Sequence, residues 1–179
     1  RFAGWIALSA AVAGGAEVCL IPEIPYDIHK VIDRINHRII KGKGFAIIVI
    51  AEGAKAKDGS LIFQQSDEIG YHNIRLGGAA INLKHELKAA GCDIDIRETI
   101  LGHLQRGGRP NAFDRILASQ FGVAAFELVL QQKYGYMVAY DHPEIIAVPI
   151  KDAIEQYNVI QMDSRLIKSA RGLGISLGD

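Results

Sequence analysis

The run of apolar residues FAIIVIA at 45–51 constrains the fold of this chain more than any other segment. Most of its residues are Ile or Val, and no polar side chain interrupts it. This pattern is typical of a strand buried on both faces in a parallel sheet. Glu52 and Gly53 follow directly, so we expect a charged side chain at the carboxyl edge of that sheet. The run is far shorter than the roughly 20 apolar residues that a membrane span requires.

Segments with the apolar spacing of helices alternate with further strand-like runs. Helices are expected at 2–12, 28–40, 77–90, 111–132, 151–157 and 164–172, and strands at 17–21, 45–51, 93–100, 136–140 and 145–150. The stretch 54–75 shows no clear period and is expected to form a loop. Strands that alternate with helices predict an α/β fold with a mostly parallel sheet, in which ligands bind beyond the carboxyl ends of the strands.

Local signals indicate where two of these helices begin and which side chains they bury. Asp27 is the expected N-cap of the helix at 28–40, and Asn111 or Asp114 is the expected cap of the helix at 111–132. The helical spacing turns Arg38 toward water and Ile116 toward the core.

The stretch TILGHLQRGGRP at 99–110 has the character of an anion site. His103 and Arg106 lie among three glycines, and Arg97 precedes them on the predicted strand. Three donors are therefore available for one phosphate, since guanidinium groups match phosphate oxygens with paired hydrogen bonds. The alternative is a set of solvated charges on a flexible turn. An RGG segment that binds RNA is disfavoured, because the triplet occurs once, in a chain with 20 basic and 20 acidic residues.

Two glutamates lie beside predicted strands, and the sequence leaves two possible roles open for each of them. Glu52 follows an apolar run, where burying an unpaired carboxylate is costly. It either accepts hydrogen bonds from a polyol or pairs with a neighbouring lysine. Glu17, together with the KGK triplet at 41–43, either forms a second anion or metal-nucleotide site or stands beside the solvated end of a helix.

Charge balance and residue spacing exclude several classes of protein. The equal numbers of acidic and basic residues argue against strong nonspecific binding to nucleic acid or an anionic membrane. Cys19 and Cys92 form no C-x-x-C motif and are expected to be reduced thiols, and the histidines lack zinc-binding spacing. No glycine-rich nucleotide loop is present in the sequence, so a nucleotide would bind mostly outside these residues.

Six motifs together resemble the carboxyl-terminal half of the 6-phosphofructokinase family: RFAGWIAL, AGGAE, PEIPYD, KGKGFAIIVIAEGAK, RETILGHLQRGGRPNAFDRILASQFG and GISLGD. The resemblance covers essentially the whole chain, and the LGHLQRGG block is specific. It implies an incomplete phosphofructokinase fold, Rossmann-like, with three αβα layers and a mostly parallel sheet. It also implies a smaller domain that binds fructose 6-phosphate at 1–103, rejoined by 158–179, and a segment of the larger phosphoryl-donor domain at 104–157.

The resemblance also implies roles for individual residues. The family's positions that bind fructose 6-phosphate are matched by Glu52, Arg97, His103 and Arg106, with Arg97 reaching the sugar phosphate of a neighbouring subunit. Arg1 matches the catalytic arginine that ends a Met-Gly-Arg motif. Arg109 matches no such position and is expected to be solvated.

A second set of matches concerns regulation. Glu17, Lys41 and Lys43 correspond to the family's effector-site positions, which implies allosteric control. Phe45 departs from the histidine found nearby in well-known bacterial members, and the loop at 54–75 is longer than theirs.

The implied activity is phosphoryl transfer to the 1-hydroxyl of fructose 6-phosphate, which gives fructose 1,6-bisphosphate in glycolysis. Mg²⁺ with ATP or pyrophosphate would be bound mainly by the half that precedes Arg1, and the choice of donor is open. The resemblance further implies a cytoplasmic homo-oligomer, a dimer or tetramer with shared active sites, and no nucleic-acid or membrane partner. We expect the chain to be cut from a longer one and to be inactive alone. A non-catalytic module that binds or senses sugar phosphates is the alternative.

Overall fold

The computed structural model describes residues 2–42, 44–57, 78–155 and 158–179, with the backbone alone at Arg106. These residues form two compact units. The first unit comprises Arg1–Ile100 and Asn158–Asp179, and the second unit comprises Leu101–Tyr157. The chain therefore leaves the first unit once and returns to it. Residues 1–103 with 158–179 are expected to bind the sugar phosphate, and residues 104–157 are expected to belong to the donor-binding domain. Both roles stay predictions.

The regular elements of the described residues follow in chain order. They are α1 (Trp5–Gly14), β1 (Val18–Leu20), α2 (Ile28–Ile40), β2 (Ile48–Ile50), α3 (Ala79–Ala89), a 3-10 helix (Gly102–Arg106), α4 (Ala112–Leu130), β3 (Tyr136–Asp141), β4 (Glu144–Pro149), α5 (Ile150–Glu155) and α6 (Arg165–Gly172). The loop expected at 54–75 lies, from residue 58 onward, outside the described residues.

The sheet of the first unit is centred on β1. β1 and β2 run parallel, with Val18 opposite Ile48. On the other side of β1, Val18 forms a parallel bridge with Ser176, and the Cys19 N–H donates to the Ser176 carbonyl at 2.9 Å. The carboxyl-terminal segment is therefore a further neighbour of β1, and all three residues of β1 are buried.

Alternation along β1 sends successive side chains into two separate core clusters. Cys19 packs into a cluster with α1 and α6, which contribute Ala7, Leu8, Ala11, Ile167 and Ala170. Val18 and Leu20 pack into a second cluster with α2 and α3, which contribute Val31, Ile35, Leu83 and Leu87. Helices thus cover both faces of a parallel pair of strands, which confirms the predicted α/β fold.

The helix caps expected from local sequence are present. The Asp27 side chain accepts the His29 N–H at 2.9 Å at the start of α2. Asn111 and Asp114 form a reciprocal capping box at the start of α4, each side chain accepting the other residue's backbone N–H at 2.9 Å. Both predictions are confirmed, because each involves groups that lie within three residues of each other.

The strand predicted at 93–100 does not form. The segment has no regular secondary structure, and no described strand pairs with it. Ile94 and Ile96 nevertheless pack against the second core cluster, while Asp95 and Arg97 are exposed. The alternating pattern was thus correct for the half-buried Ile94 and Ile96, but it was wrong for Ile100, which is 61% exposed, and for backbone pairing.

The strand predicted at 45–51 is shorter and less buried than its composition indicates. β2 has three residues, all half-buried, and Phe45 and Ile47 before it are exposed. Within the described residues, β2 pairs with β1 alone and so forms an edge of the sheet. An edge position explains why an uninterrupted apolar run keeps part of its surface in solvent.

The second unit is built from α4 packed on an antiparallel hairpin. β3 pairs with β4 from Tyr136 opposite Pro149 to Asp141 opposite Glu144. One stripe of α4 is half-buried, at Leu117, Phe121, Ala124 and Leu128. Ile116, predicted to face the core, is instead 59% exposed. None of the described helices combines the length and apolar character that crossing a membrane requires.

Cys19 is expected to resist alkylation while the first unit is folded. Burial, followed by the nearby charge of Glu23, raises the pKa of its thiol to about 12. At pH 8 only about one such thiol in ten thousand would be ionised, and the thiolate is the reactive form. Mass spectrometry after treatment with iodoacetamide would measure this. Urea-unfolded chain, in which both cysteines react, is the control, and rapid labelling of native Cys19 would contradict the prediction.

Candidate functional site

Glu52 lies at the carboxyl edge of the sheet in the first unit. It follows β2 in a tight turn, in which the Ala54 N–H donates to the Ala51 carbonyl at 3.0 Å. Its side chain is exposed, whereas Gly53 beside it is buried. Because this edge is where open α/β sheets bind their ligands, Glu52 occupies a position from which it can contact a substrate.

The chain that follows this turn is fixed by Tyr26. The Tyr26 N–H donates to the Lys55 carbonyl at 2.9 Å, and the Lys57 N–H donates to the Tyr26 carbonyl at 2.8 Å. The Tyr26 hydroxyl in turn donates to Glu86 on α3 at 2.7 Å. Tyr26 itself is buried. The residues that directly follow the turn carrying Glu52 are therefore hydrogen-bonded to a core residue.

Arg97 projects into solvent from an anchored segment. Its side chain is 91% exposed, and its Nε lies 3.5 Å from an oxygen of Asp95, which is also exposed. The next residue, Glu98, accepts a hydrogen bond from Lys84 on α3 at 2.6 Å. That hydrogen bond is the main cause of the lowered pKa of Glu98. The segment is therefore attached to α3, while the guanidinium of Arg97 is available to another molecule.

His103 and Arg106 belong to the 3-10 helix of the second unit, and His103 is exposed. The backbone at Arg106 is described, whereas its side chain lies outside the description. This helix begins at Gly102 and is followed by Gly108, and the two glycines have φ of 51° and 112°. Because residues with a Cβ rarely adopt such angles, the glycines are required by the backbone itself.

Glu17 is engaged on both carboxylate oxygens. It is 4% exposed, and it lies immediately before β1. Oε1 is 2.7 Å from Nη2 of Arg38 on α2, and Oε2 accepts the Ile47 N–H at 2.7 Å. Arg38 was predicted to face water, and this prediction is wrong, because a buried carboxylate requires a partner. That requirement is the signal in the sequence that could have identified the pair.

The remaining predicted site residues are placed as follows. Lys41 is exposed just after α2, and Arg109 is exposed in the segment before α4. Arg1 and Lys43 lie outside the described residues. Across the described ranges, no group of three or more His, Cys, Asp or Glu side chains is placed to hold a metal ion.

A parallel sheet covered by helices on both faces, with an acidic turn at its carboxyl edge, defines an α/β protein of the type that binds ligands beyond its strands. A family model described as Phosphofructokinase matches residues 1–129. The chain belongs to the phosphofructokinase family, which confirms the resemblance found in its motifs.

Relatives at about 40% identity extend this match to the whole chain. ATP-dependent 6-phosphofructokinase 1 of Synechocystis is 42% identical over 179 residues, which cover 100% of this chain and 48% of the relative. ATP-dependent 6-phosphofructokinase 2 of Clostridium perfringens is 41% identical over 100% of this chain and 49% of the relative. The chain thus spans about half the length of these relatives.

Solved structures agree on the fold. Phosphofructokinase from Saccharomyces cerevisiae superposes with a TM-score of 0.63 at 28% identity, covering 100% of this chain and 22% of that one. A pyrophosphate-dependent phosphofructokinase from Nitrosospira multiformis gives a TM-score of 0.67 at 20% identity, covering 98% of this chain and 46% of that one. At that lower identity the likeness concerns the fold alone.

Proposed function

We propose that this chain supplies the fructose 6-phosphate-binding half of an ATP-dependent 6-phosphofructokinase. The reaction transfers the terminal phosphoryl group of ATP to the 1-hydroxyl of fructose 6-phosphate and gives fructose 1,6-bisphosphate and ADP, a step of glycolysis in the cytoplasm. The observation that carries the proposal is the 42% identity to a named enzyme over the whole chain. Relatives at this level are named ATP-dependent, which supports ATP rather than pyrophosphate as the donor.

In this proposal, three cationic side chains bind the 6-phosphate. His103 and Arg106 donate to it from the glycine-flanked 3-10 helix, and the planar guanidinium offers two parallel hydrogen bonds. Arg97 reaches the phosphate held by a neighbouring subunit, so the enzyme is a homo-oligomer, a dimer or tetramer with shared sites. The exposure of Arg97, which has only an exposed aspartate near its guanidinium in the described structure, supports this assignment.

Two further residues act on other parts of the substrates. Glu52 accepts hydrogen bonds from the sugar hydroxyls, for which its exposed position at the sheet edge is suitable. Arg1 stabilises negative charge on the transferred group. Phosphoryl transfer depends mainly on positioning and charge stabilisation, so these contributions are sufficient for this half of the enzyme to affect turnover.

Mg²⁺ enters the reaction as part of the ATP substrate. The described residues offer no acidic cluster for it, so we assign it no ligand among them. Control by an effector at Glu17, Lys41 and Lys43 stays a prediction. Arg38 and the Ile47 N–H already engage both oxygens of Glu17.

The Arg106→Ala variant is expected to raise the KM for fructose 6-phosphate at least about tenfold, because one charge-assisted contact contributes about 1.5–3 kcal/mol. The measurement is a coupled assay of the protein expressed from its complete reading frame, with ATP and then pyrophosphate as donor. Arg109→Ala changes an exposed arginine three residues away and serves as the matched control.

The outcomes separate the competing functions. An unchanged KM in Arg106→Ala, or an equal rise in Arg109→Ala, would remove Arg106 from the site. Binding of fructose 6-phosphate without turnover by any donor would favour the non-catalytic module instead. Faster turnover with pyrophosphate than with ATP would overturn the choice of donor.

A further inference from the structure

The second unit has no buried core of its own among its described residues. Both core clusters of the chain belong to the first unit. Along 101–155, the described side chains are half-buried or exposed, and none is buried. A unit of this size that covers so little apolar surface does not offset the conformational entropy that folding costs. The second unit is therefore expected to depend on further contacts.

The helix α4 is apolar on most of its circumference. From Ile116 to Phe126 it contains no charged residue. One stripe of the helix is half-buried where α4 packs on the hairpin of β3 and β4. A helix with apolar side chains all round is normally buried on all sides rather than on one. The hairpin therefore covers only part of the apolar surface that α4 presents.

A second apolar surface lies on the side of α4 that faces away from this stripe. We call it the outer surface of α4, and its residues are Ile116, Val123, Phe126, Val129 and Leu130, each more than 50% exposed. Their separations of three, four and seven residues place them on one face of the helix. Single exposed apolar side chains are ordinary, whereas a contiguous set marks a surface that binds another surface.

The chemistry of the outer surface selects an apolar occupant. None of its five side chains is charged or can form a hydrogen bond. A charged or polar partner would lose its hydration there without gaining a hydrogen bond, so the surface fits an apolar face of protein. The relatives contain polypeptide that could supply such a face. This chain covers 48% of the Synechocystis enzyme and 49% of the Clostridium perfringens enzyme, so about half of each has no counterpart in it.

We propose that the outer surface of α4 is covered, in the complete protein, by the part of the polypeptide that the relatives have and this chain lacks. The second unit then acquires a buried core only when the two parts pack together. The competing occupant is a second copy of this chain, which would bury the same side chains. The inference assigns no catalytic role to any residue, so it does not depend on which reaction the protein catalyses.

Two leucines with equal exposure test whether the outer surface is covered. Leu130 belongs to this surface and is 67% exposed, whereas Leu173 follows α6 in the first unit and is 66% exposed. Each is replaced by cysteine in the protein expressed from its complete reading frame, and maleimide labelling is followed by mass spectrometry. Leu130→Cys is expected to react at least about a hundredfold more slowly than Leu173→Cys, because a covered thiol reacts only when the contact opens. Equal rates would show a free surface and overturn the proposal.

A photo-cross-linker at Phe126 identifies the occupant in the same complete protein. Replacement of Phe126 by p-benzoylphenylalanine keeps an aromatic side chain at the centre of the outer surface. Irradiation is expected to join it, within one polypeptide, to a peptide outside the 179 residues of this chain. A cross-link to the first unit, a product of twice the polypeptide mass on a denaturing gel, or no cross-link would each overturn the proposal. Neither readout requires turnover, so a failure of the proposed function would be recognised separately.

Discussion

Replacement of Glu17 by alanine is expected to lower the free energy of unfolding of the chain by about 3–5 kcal/mol. The variant removes a buried carboxylate and leaves the Arg38 guanidinium, which is 25% exposed, without its partner. It also leaves the Ile47 N–H without its acceptor at the entry to β2. Urea unfolding followed by far-UV circular dichroism would measure the change as a lower midpoint with a similar slope.

An exposed ion pair of the same chain provides the comparison for Glu17. Asp95 pairs with Arg97 at 3.5 Å, and both side chains are more than 80% exposed. Asp95→Ala is expected to change the free energy of unfolding by less than about 1 kcal/mol, since water screens such pairs. If the free energy of unfolding falls equally little in both variants, the contacts of Glu17 do not stabilise the fold more than an exposed ion pair does.

Deletion of residues 175–179 is expected to unfold the first unit. The deletion removes the side chains of Ile175 and Leu177, which are 5% and 1% exposed, and the bridge between Ser176 and β1. Loss of a buried Ile or Leu side chain costs about 2–5 kcal/mol, and two such losses approach the total stability of many domains. Limited proteolysis and the near-UV circular dichroism of Trp5 would report the loss of structure.

Alanine substitutions of two leucines distinguish the loss of core packing from a general effect of shortening the side chain in this part of the sequence. Leu177→Ala is expected to cost about 2–5 kcal/mol, whereas Leu173→Ala, at a side chain that is 66% exposed, should cost less than about 0.5 kcal/mol. Equal effects of the two substitutions would contradict the placement of the carboxyl-terminal segment in the core.

Sequence alone predicted the features of this fold that depend on neighbouring residues. The caps at Asp27 and Asn111 require groups only two or three residues apart, and both form. The family was likewise identified from contiguous motifs, of which LGHLQRGG is the most specific.

Features that depend on distant partners were predicted poorly. The segment at 93–100 has the alternation of a strand, but pairing requires a neighbour that its own residues cannot specify. Arg38 has the helical position of a solvated side chain, and the pair that it forms with Glu17 joins residues far apart in the sequence. The hydrogen bonds of Glu23 could not be predicted at all, because they involve the backbone N–H groups of Gly4 and Ile160, which are far away in the sequence. The roles of Glu52, Arg97, His103 and Arg106 stay predictions that the assays above test.

The bridge between Val18 and Ser176 also sets an order of events during synthesis. β1 is synthesised before the segment that pairs with one of its edges, and the residues of the second unit lie between the two in the sequence. The second unit, whose α4, β3, β4 and α5 are contiguous in sequence, is complete before that neighbour emerges. The sheet of the first unit therefore cannot be completed until Ser176 has emerged, and until then one edge of β1 is exposed in the nascent chain. Chaperones that protect such edges are expected to raise its yield.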